Sequence, residues 1–356
     1  MSSQQHVIVI GAGIIGASIA WHLARRGAAV TVVAEAAGGV ATPASFAWIN
    51  ASWGNPEFYF RFRRFSMTEW HRLADELPGL PLRWCGGVYW DLSPDQLEAY
   101  AREHASWGYG IRRIDGAAIS RLEPQLARGP GLALAIAEEG AVEPVAATHI
   151  MLADARKHAA ELLVDAKVTG LIERNGRVKG VRTAEGELHA DHVVLAAGAG
   201  VVPLARSVGV SIPLETPPGL IVHSRPCSKR LNGLVIAPEL HMRQTAEGRI
   251  IAGSDFGGSD PGEDPQATAA ALFAEVKEML RESSDLELDF FTIGYRPTPV
   301  DGFPIIDKPE GSEGLSVAVL HSGVTLAPAV GRLVAGEILD GIADEWLTPY
   351  RLSRFG

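Results

Sequence analysis

Residues 7–35 form an apolar strand, a glycine-rich turn, an apolar helix and a second apolar strand, in that order. The run Val7–Ile10 has strand length, and Gly11, Gly13 and Gly16 follow it with GxGxxG spacing. In this pattern Gly11 permits a tight turn and Gly13 lets backbone N–H groups approach a pyrophosphate. Gly16 lets the helix pack close to the strand, and the amino end of the helix favours phosphate charge. The segment therefore predicts a dinucleotide-binding βαβ unit.

The acidic residue of this fingerprint is displaced by one position. The acid that binds the adenosine ribose normally stands where this chain has Ala34, and Glu35 follows it. Because side chains alternate along a strand, the shift matters unless the strand end is irregular. Two interpretations of Glu35 remain open: a ribose ligand, or a solvated surface carboxylate.

Length and composition limit the classes of protein to consider. The 356 residues, 47% of them hydrophobic, predict two domains with a large buried core. The net charge of −10 argues against a nucleic-acid partner and against binding to anionic membranes. The two cysteines, Cys85 and Cys227, fit a reducing compartment and predict no metal site. No apolar stretch reaches the length of about 20 residues that a membrane span needs, so we expect a cytoplasmic protein without stable membrane insertion.

Hydrophobic periodicity predicts the main elements. Apolar positions predict helices over 58–77 and 146–163 and a strand over 166–172. Near the carboxyl end, a glycine-containing turn over 321–325 precedes a predicted helix over 327–339. The α/β pattern thus occurs at both ends of the chain.

These patterns predict a discontinuous arrangement of two domains. We expect residues 1–80, 140–205 and 296–356 to form the nucleotide-binding domain. Residues 81–139 and 206–295, where proline and short strand-like runs dominate, are expected to form a mixed β-sheet domain for the substrate.

Four separated segments resemble one known family when they are read together. They are the N-terminal fingerprint, the loop Ala44–Ala47, the strand end Leu195–Gly198 and the C-terminal run 294–331, which contains Arg296-Pro297 and His321-Ser322-Gly323. In order and spacing they resemble the FAD-dependent amine oxidoreductases of the D-amino-acid oxidase, glycine oxidase and sarcosine oxidase family. The resemblance spans essentially the whole chain.

The resemblance implies an FAD-binding Rossmann-like domain (GR2-type) beside a mixed β-sheet substrate domain with flanking helices. It implies that FAD is bound by Gly11, Gly13, Ile15, Gly16, Ala34, Glu35, Thr42, Ser45, Phe46, Ala47, Val168, Ala197, Gly198, Arg296, Gly323, Val324 and Thr325. Plain core packing remains an alternative for Val168. Some members link the flavin to a cysteine at the position of Gly294, so we expect non-covalent FAD here.

The resemblance also implies a substrate site. Arg296 matches the arginine that binds the substrate carboxylate, and a bidentate guanidinium suits that role; a structural ion pair is the alternative. His321 lies at a polar or basic position beside the flavin, and His241 where relatives often carry a substrate-contacting tyrosine. Both are assigned as catalytic, although an ordinary core or surface histidine is possible for each. Trp48 and Asn50 are expected to line the substrate pocket, with core packing as the alternative for the tryptophan.

The implied reaction is oxidation of the C–N bond of an amino acid or secondary amine by hydride transfer to flavin N5, giving an imine that hydrolyses. The electron acceptor is oxygen or another redox carrier. The lysine that activates oxygen in some oxidases would fall near Ile251, which favours a dehydrogenase. Two alternatives remain: a nicotinamide-dependent dehydrogenase, and a flavin-binding subunit of a multi-component dehydrogenase without turnover of its own.

Overall fold

The computed structural model describes residues 4–52, 54–255 and 257–356. Numbered in chain order, its helices are α1 (Ile14–Arg25), α2 (Glu57–Glu76), α3 (Pro94–Ser106), α4 (Gly116–Leu122), α5 (Pro144–Lys157), α6 (Val201–Arg206), α7 (Pro265–Met279) and α8 (Gly323–Asp340). The strands are β1 (His6–Ile10), β2 (Ala29–Val33), β3 (Trp48–Ile49), β4 (Leu82–Arg83), β5 (Gly87–Tyr89), β6 (Ile111–Asp115), β7 (Leu132–Ile136), β8 (Gly140–Val142), β9 (Glu161–Leu163), β10 (Val168–Arg174), β11 (Arg177–Thr183), β12 (Gly186–His189), β13 (His192–Leu195), β14 (Leu214–Glu215), β15 (Pro218–Ser224), β16 (Leu234–Ile236), β17 (His241–Gln244), β18 (Ile250–Gly253), β19 (Leu288–Tyr295), β20 (Thr298–Pro299), β21 (Ile305–Asp307) and β22 (Leu315–Val319).

One sheet carries the glycine fingerprint. Its six strands run in the order β21-β22-β13-β1-β2-β9, and all pairs are parallel except β21 with β22. Helix α1 packs against both α5 and α8. Because β1, β13 and β22 come from the start, middle and end of the chain, distant segments meet at the carboxyl edge of this sheet. Ligands bind at that edge in open parallel sheets.

A second sheet stands beside the first. Its eight strands run in the order β19-β15-β18-β17-β16-β5-β7-β6, and all its pairs are antiparallel except β16 with β5. These strands lie within the ranges 81–139 and 206–295. The α/β architecture with a separate mixed sheet is confirmed, whereas the proposed domain boundaries stay predictions.

The helix predicted over 146–163 is too long. Helix α5 ends at Lys157, Ala159 adopts a left-handed conformation with φ of 65°, and Glu161–Leu163 forms β9. Strand β9 pairs in parallel with β2. Pairing with a neighbouring strand therefore overrides the local helical pattern.

The turn predicted over 321–325 is also different. Gly323, Val324 and Thr325 form the first turn of α8, which continues through Pro328 to Asp340. Pro328 lacks the N–H that would bond to the carbonyl of Val324, and that carbonyl accepts a hydrogen bond from Trp70 Nε1 over 3.1 Å instead. The expected start at Ala327 was therefore one turn too late.

No helix among the described residues has both the length and the apolar character required to cross a lipid bilayer.

Candidate active site

A cavity of about 1000 Å³ opens at the carboxyl edge of the parallel sheet and extends to the mixed sheet. Its lining collects most of the residues assigned from the sequence: Gly11, Gly13, Ile15, Ala34, Glu35, Thr42, Ser45, Phe46, Ala47, Trp48, Asn50, Val168, Ala197, Gly198, Arg296, His321, Gly323, Val324 and Thr325. Gly16 and His241 do not appear in the described lining. One continuous cavity thus joins segments that are up to 314 positions apart in sequence.

The glycine turn is shaped for close approach of a ligand. Gly11 has a φ of 107°, and a β-carbon there would overlap the carbonyl of Ala196. The N-cap residue of α1 is Gly13, which has no side chain to accept a hydrogen bond from the first turn. That turn also has no acidic residue. A β-carbon at Gly16 would overlap the carbonyl of Gly11, so Gly16 serves helix–strand packing and not ligand contact. The amino end of α1 lines the cavity and suits phosphate charge.

Thr42 closes this turn from the other side. Its Oγ1 accepts a hydrogen bond of 3.2 Å from the N–H of Ile14 and would lie 3.3 Å from a β-carbon at Gly13. The threonine therefore forms part of the wall of the predicted phosphate site, and its contact with FAD stays a prediction.

The displaced acid lies at the rim of the cavity. The side chain of Glu35 is exposed, and its Oε2 lies 3.7 Å from Nζ of Lys167. Ala34 continues the sheet instead, since its N–H donates to Leu163 and its carbonyl accepts from Ala166. Both interpretations of Glu35 are compatible with this position, and its ribose contact stays a prediction.

The loop before β3 adopts a strained backbone. Ala47 has a φ of 58°, which is uncommon for a residue with a β-carbon, and its N–H bonds to Oγ of Ser45 over 3.0 Å. Arg243 fixes the loop, because its Nε donates a hydrogen bond of 2.6 Å to the carbonyl of Phe46. Backbone strain of this kind is often found at ligand sites.

The amino end of α8 forms the opposite end of the cavity. Its N-cap residue, Ser322, makes no side-chain cap, and its first turn carries no acidic residue. Thr325 Oγ1 donates to the carbonyl of Trp48 over 3.0 Å and accepts from the N–H of Asn50 over 3.4 Å. Helix α8 and β3 are thereby joined, and the positive end of the helix dipole is directed at the cavity.

Arg296 extends from the end of β19 into the cavity. Its Nη2 donates to the carbonyl of Pro218 over 3.3 Å, and its buried Nε has no hydrogen-bond partner among the described residues. The described part of the chain gives it no ion pair. Burial lowers the pKa of the guanidinium, and Asp255 opposes that shift. Arg296 is therefore available to bind an anionic ligand.

His321 lies close enough to Arg296 for the charge of the arginine to influence its protonation. Burial lowers its pKa to about 4, and the positive charges of Arg296 and Arg63 add to that effect. At neutral pH the imidazole is uncharged. It can donate one hydrogen bond and accept another, but it adds no second positive charge that could bind a carboxylate.

His241 lies away from these groups. It is buried in β17, and its Nε2 is 3.6 Å from Oδ2 of Asp91. Since it does not belong to the described lining of the cavity, its predicted contact with the substrate gains no support from the structure.

Sequence reasoning missed two buried charged residues that hold the segment 48–52. Arg63 donates to the backbone and the side chain of Asn50. On the other side, Glu139 accepts from Trp48 Nε1 over 2.8 Å and from Ser52 Oγ over 2.5 Å. This segment, which contributes Trp48, Asn50 and Ser52 to the lining, is fixed from both sides.

Glu139 also accepts hydrogen bonds from two tyrosines. Tyr89 donates over 2.6 Å, and Tyr109 donates to the other carboxyl oxygen. Burial raises the pKa of Glu139, although the four donors oppose the shift. All four donors point at the carboxyl group, so the arrangement suits the ionised form.

The donor set of the cavity suits a flavin dinucleotide. It offers a glycine cradle for phosphates, a second uncapped helix end, a largely apolar wall between them and no group of three or more metal-ligating side chains within the described ranges. The residues present therefore fit FAD.

Comparisons with known proteins agree with this geometry. The family model described as "DAO: FAD dependent oxidoreductase" matches residues 6–337. The chain is 27% identical over 367 residues to the glycine oxidase of Bacillus licheniformis, covering 99% of this chain and 98% of that protein. It is 29% identical over 354 residues to the glycine oxidase of Pseudomonas putida strain KT2440, covering 94% and 93%.

The solved structure of L-proline dehydrogenase from P. horikoshii has the same fold. It matches with a TM-score of 0.89 at 24% identity and covers 100% of this chain and 98% of that one. The expected family, an α/β enzyme fold and FAD as cofactor are confirmed, and a nicotinamide cofactor is not supported. The chain belongs to the DAO family of FAD-dependent oxidoreductases.

Proposed function

We propose that this enzyme oxidises the C–N bond of an amino acid or secondary amine that carries a carboxylate. Arg296 carries this proposal, because its guanidinium lines the cavity and has no carboxylate partner in the described part of the chain. A planar and permanently charged guanidinium pairs with a carboxylate through two parallel hydrogen bonds. Two of the relatives are named glycine oxidase, and glycine is an amine that carries a carboxylate.

Bound FAD supplies the acceptor for the hydride that leaves the carbon next to nitrogen. The nitrogen lone pair then forms the C=N bond, and water hydrolyses the imine to a carbonyl compound and an amine. No protein base has to remove a proton from carbon when the amine is bound in its neutral form.

His321 has a positioning role in this proposal. Because its imidazole is neutral at physiological pH, it can accept a hydrogen bond from the substrate nitrogen. Arg296 and His321 would then hold the carboxylate and the nitrogen at two separate points, which fixes the C–H bond in one orientation.

The flavin is proposed to be bound non-covalently. Gly294 has no nucleophilic side chain, and a β-carbon there would lie 2.8 Å from Cβ of Ala44. The two cysteines do not occur in the described lining of the cavity. Precipitation with acid should therefore release all of the yellow cofactor into the supernatant.

Electrons are proposed to pass to a carrier other than oxygen. Ile251 is buried in β18 and supplies no charge to the cavity. The comparisons leave the choice between oxidase and dehydrogenase open, so the acceptor has to be measured.

The decisive test is anaerobic mixing of the purified protein with D-amino acids, L-amino acids, N-methyl amino acids and imino acids. Bleaching of the flavin band by at least one carboxylate-bearing amine, and not by its decarboxylated analogue, is the expected result. A flavin that no member of the panel bleaches would contradict the proposal. Re-admission of oxygen with a peroxide assay then separates an oxidase from a dehydrogenase, and turnover by the isolated chain excludes dependence on a second subunit.

A further inference from the structure

Arg63 is a buried positive charge in the wall of the cavity. It projects from α2, only 6% of its surface is exposed, and it lines the same cavity as Arg296. A charged side chain at such depth is rarely found without a counter-charge. Its surroundings therefore indicate what the site is built to hold.

All the acceptors that Arg63 reaches are uncharged. Nε donates to the carbonyl of Asn50 over 3.0 Å and Nη2 to the side-chain oxygen of the same residue. Nη1 donates to Ser322 Oγ over 2.6 Å and, more weakly, to the hydroxyl of Tyr59 over 3.4 Å. No carboxylate pairs with Arg63 anywhere in residues 4–52, 54–255 and 257–356.

The other fully buried arginine of the described residues does have a carboxylate partner. Arg243, which is as buried as Arg63, pairs with Glu143 over 3.1 Å, and Arg351 pairs with Glu337. Arg243 and Arg351 are thus neutralised by carboxylates of the chain itself, and Arg63 is not. At Arg63 the counter-charge has to come from a ligand of the cavity.

The location of Arg63 identifies which ligand this is. Ser322 immediately precedes the first turn of α8, whose uncapped amino end lines the cavity, and Asn50 is bonded to Thr325 of that turn. Arg63 therefore reinforces the positive helix end that lies away from the glycine cradle for the phosphates. His321 is at this end and is influenced by the charges of both Arg296 and Arg63, so the reacting ring of FAD has to lie here. Arg296 lies on the mixed sheet instead, where it contacts Pro218 and Gly257.

We propose that Arg63 stabilises the negative charge that the flavin acquires on reduction, separately from Arg296, whose guanidinium serves the substrate carboxylate in the function proposed above. This proposal rests on the hydride-transfer function proposed above. The neutral amine loses a hydride and becomes an iminium ion, and neutral FAD gains that hydride and becomes a monoanion, so charge and electrons balance. Arg296 pairs with the substrate carboxylate, which is negative throughout the reaction. Arg63 acts on the flavin, which becomes negative only when it is reduced.

The test compares holoenzymes without any amine substrate, so that its result is independent of the substrate panel. The midpoint potential of bound FAD is measured by dye equilibration. The dissociation constant of sulfite is measured by flavin bleaching, because the adduct also leaves a negative charge on the flavin ring. The variants are Arg63→Gln, Arg63→Lys and Asn50→Asp, and Arg64→Gln is the control. Arg64 lies on the same helix, is paired with Glu138 and is not in the described lining.

Arg63→Gln should weaken sulfite binding at least tenfold. It should also lower the midpoint potential of bound FAD by about 30 mV or more, which corresponds to a tenfold shift of the two-electron equilibrium against reduction. Arg63→Lys should retain most of the wild-type potential. Asn50→Asp retains the arginine and its acceptor oxygen but adds a carboxylate that neutralises the charge, so it should lower the midpoint potential. This variant keeps the test available if Arg63→Gln does not retain FAD.

An FAD-containing Arg63→Gln or Asn50→Asp protein with wild-type potential and sulfite affinity would overturn the proposal. A similar loss in Arg64→Gln would also overturn it, because the effect would then come from the packing of α2 and not from the buried charge.

Discussion

The guanidinium of Arg296 lies directly against the backbone of Gly257, so closely that a β-carbon at Gly257 would overlap it. The residue at position 257 therefore decides where the arginine can lie. A glycine here leaves the guanidinium in the cavity, in contact with the carbonyl of Pro218 and with no carboxylate of the described chain.

Replacement of Arg296 should impair substrate binding more than folding. Arg296→Leu removes a charge-assisted pair with the substrate carboxylate, which contributes about 2–3 kcal/mol, and this predicts a rise in apparent KM of roughly 30- to 150-fold. Steady-state kinetics with the best amine of the panel measures it. Arg128→Leu, at an exposed arginine paired with Glu278, is the matched control. An unchanged KM would remove Arg296 from the substrate site.

Gly257→Ala should reproduce the Arg296→Leu phenotype without changing the arginine. The new methyl group displaces the guanidinium, so KM should rise at least tenfold while the flavin spectrum is retained. The Gly257→Ala/Arg296→Leu double variant should be no worse than Arg296→Leu, since both changes remove one interaction. Gly131→Ala is the control because a β-carbon there meets open space. Additive effects in the double variant would contradict this relationship.

His321 should not contribute an ionisation to the activity profile near neutral pH. Burial and two nearby arginines lower its pKa to about 4, so the imidazole is uncharged throughout pH 6–9. We expect kcat/KM of the wild type and of His321→Asn to have the same pH dependence over that range, with a lower absolute value for the variant. An ionisation between pH 6 and 7 that disappears in His321→Asn would show that the histidine titrates during catalysis.

The cofactor half of the site could be predicted because its constraints are local. Gly11 and Gly13 are required by a turn and a close approach that only a residue without a β-carbon allows, and the surrounding periodicity identifies the βαβ unit. The contact between Gly257 and Arg296 joins two loops that the sequence does not relate. The fold brings them together, so no pattern within either loop could reveal it.

Arg63 was missed although a signal for it exists. The apolar periodicity over 58–77 includes Phe58, which would place it on the inner face of α2, but this side chain is 43% exposed. The buried stripe instead follows Tyr59, Phe62, Arg63, Ser66, Trp70 and Leu73 at helical spacing. A charged residue within an apolar stripe is itself informative. Glu139 offers no comparable signal, because its four donors come from three separate parts of the chain.

Glu139→Gln should destabilise the protein although the change is nearly isosteric. The amide replaces one acceptor oxygen by a donor that faces hydroxyl or indole donors, which leaves at least one buried polar group unsatisfied. We expect a loss of about 1–3 kcal/mol in the free energy of unfolding, measured by urea denaturation of the holoenzyme. Glu138→Gln, at a partly exposed neighbour paired with Arg64, should lose less than about 1 kcal/mol. Equal losses would show that the buried hydrogen bonds of Glu139 contribute no more to the free energy of unfolding than the partly exposed contacts of Glu138.

His22 should make the fold sensitive to mild acid. It is buried in α1, where Nδ1 bonds to the carbonyl of Ser18 over 2.8 Å and Nε2 accepts from Arg72 over 2.7 Å. Burial lowers its pKa to about 3, and the charge of Arg72 contributes to the shift. The unfolded chain therefore binds a proton below pH 6.5 that the folded protein does not bind, and stability falls as pH decreases from 6.5 towards 3.

For this one group the expected loss between pH 7.5 and pH 5 is about 2 kcal/mol. His22→Gln removes the titration, so its stability should fall by about 2 kcal/mol less than that of the wild type over the same interval, whatever its stability at pH 7.5. Urea denaturation at the two pH values measures the difference, and His149→Gln, at an exposed histidine, is the control. Parallel losses in the wild type and His22→Gln would mean that His22 takes up its proton at the same pH in the folded protein as in the unfolded chain, so that it is protonated in the folded protein at pH 5. In that case the hydrogen bond from Arg72 could not exist as described, because both ring nitrogens of a protonated histidine are donors.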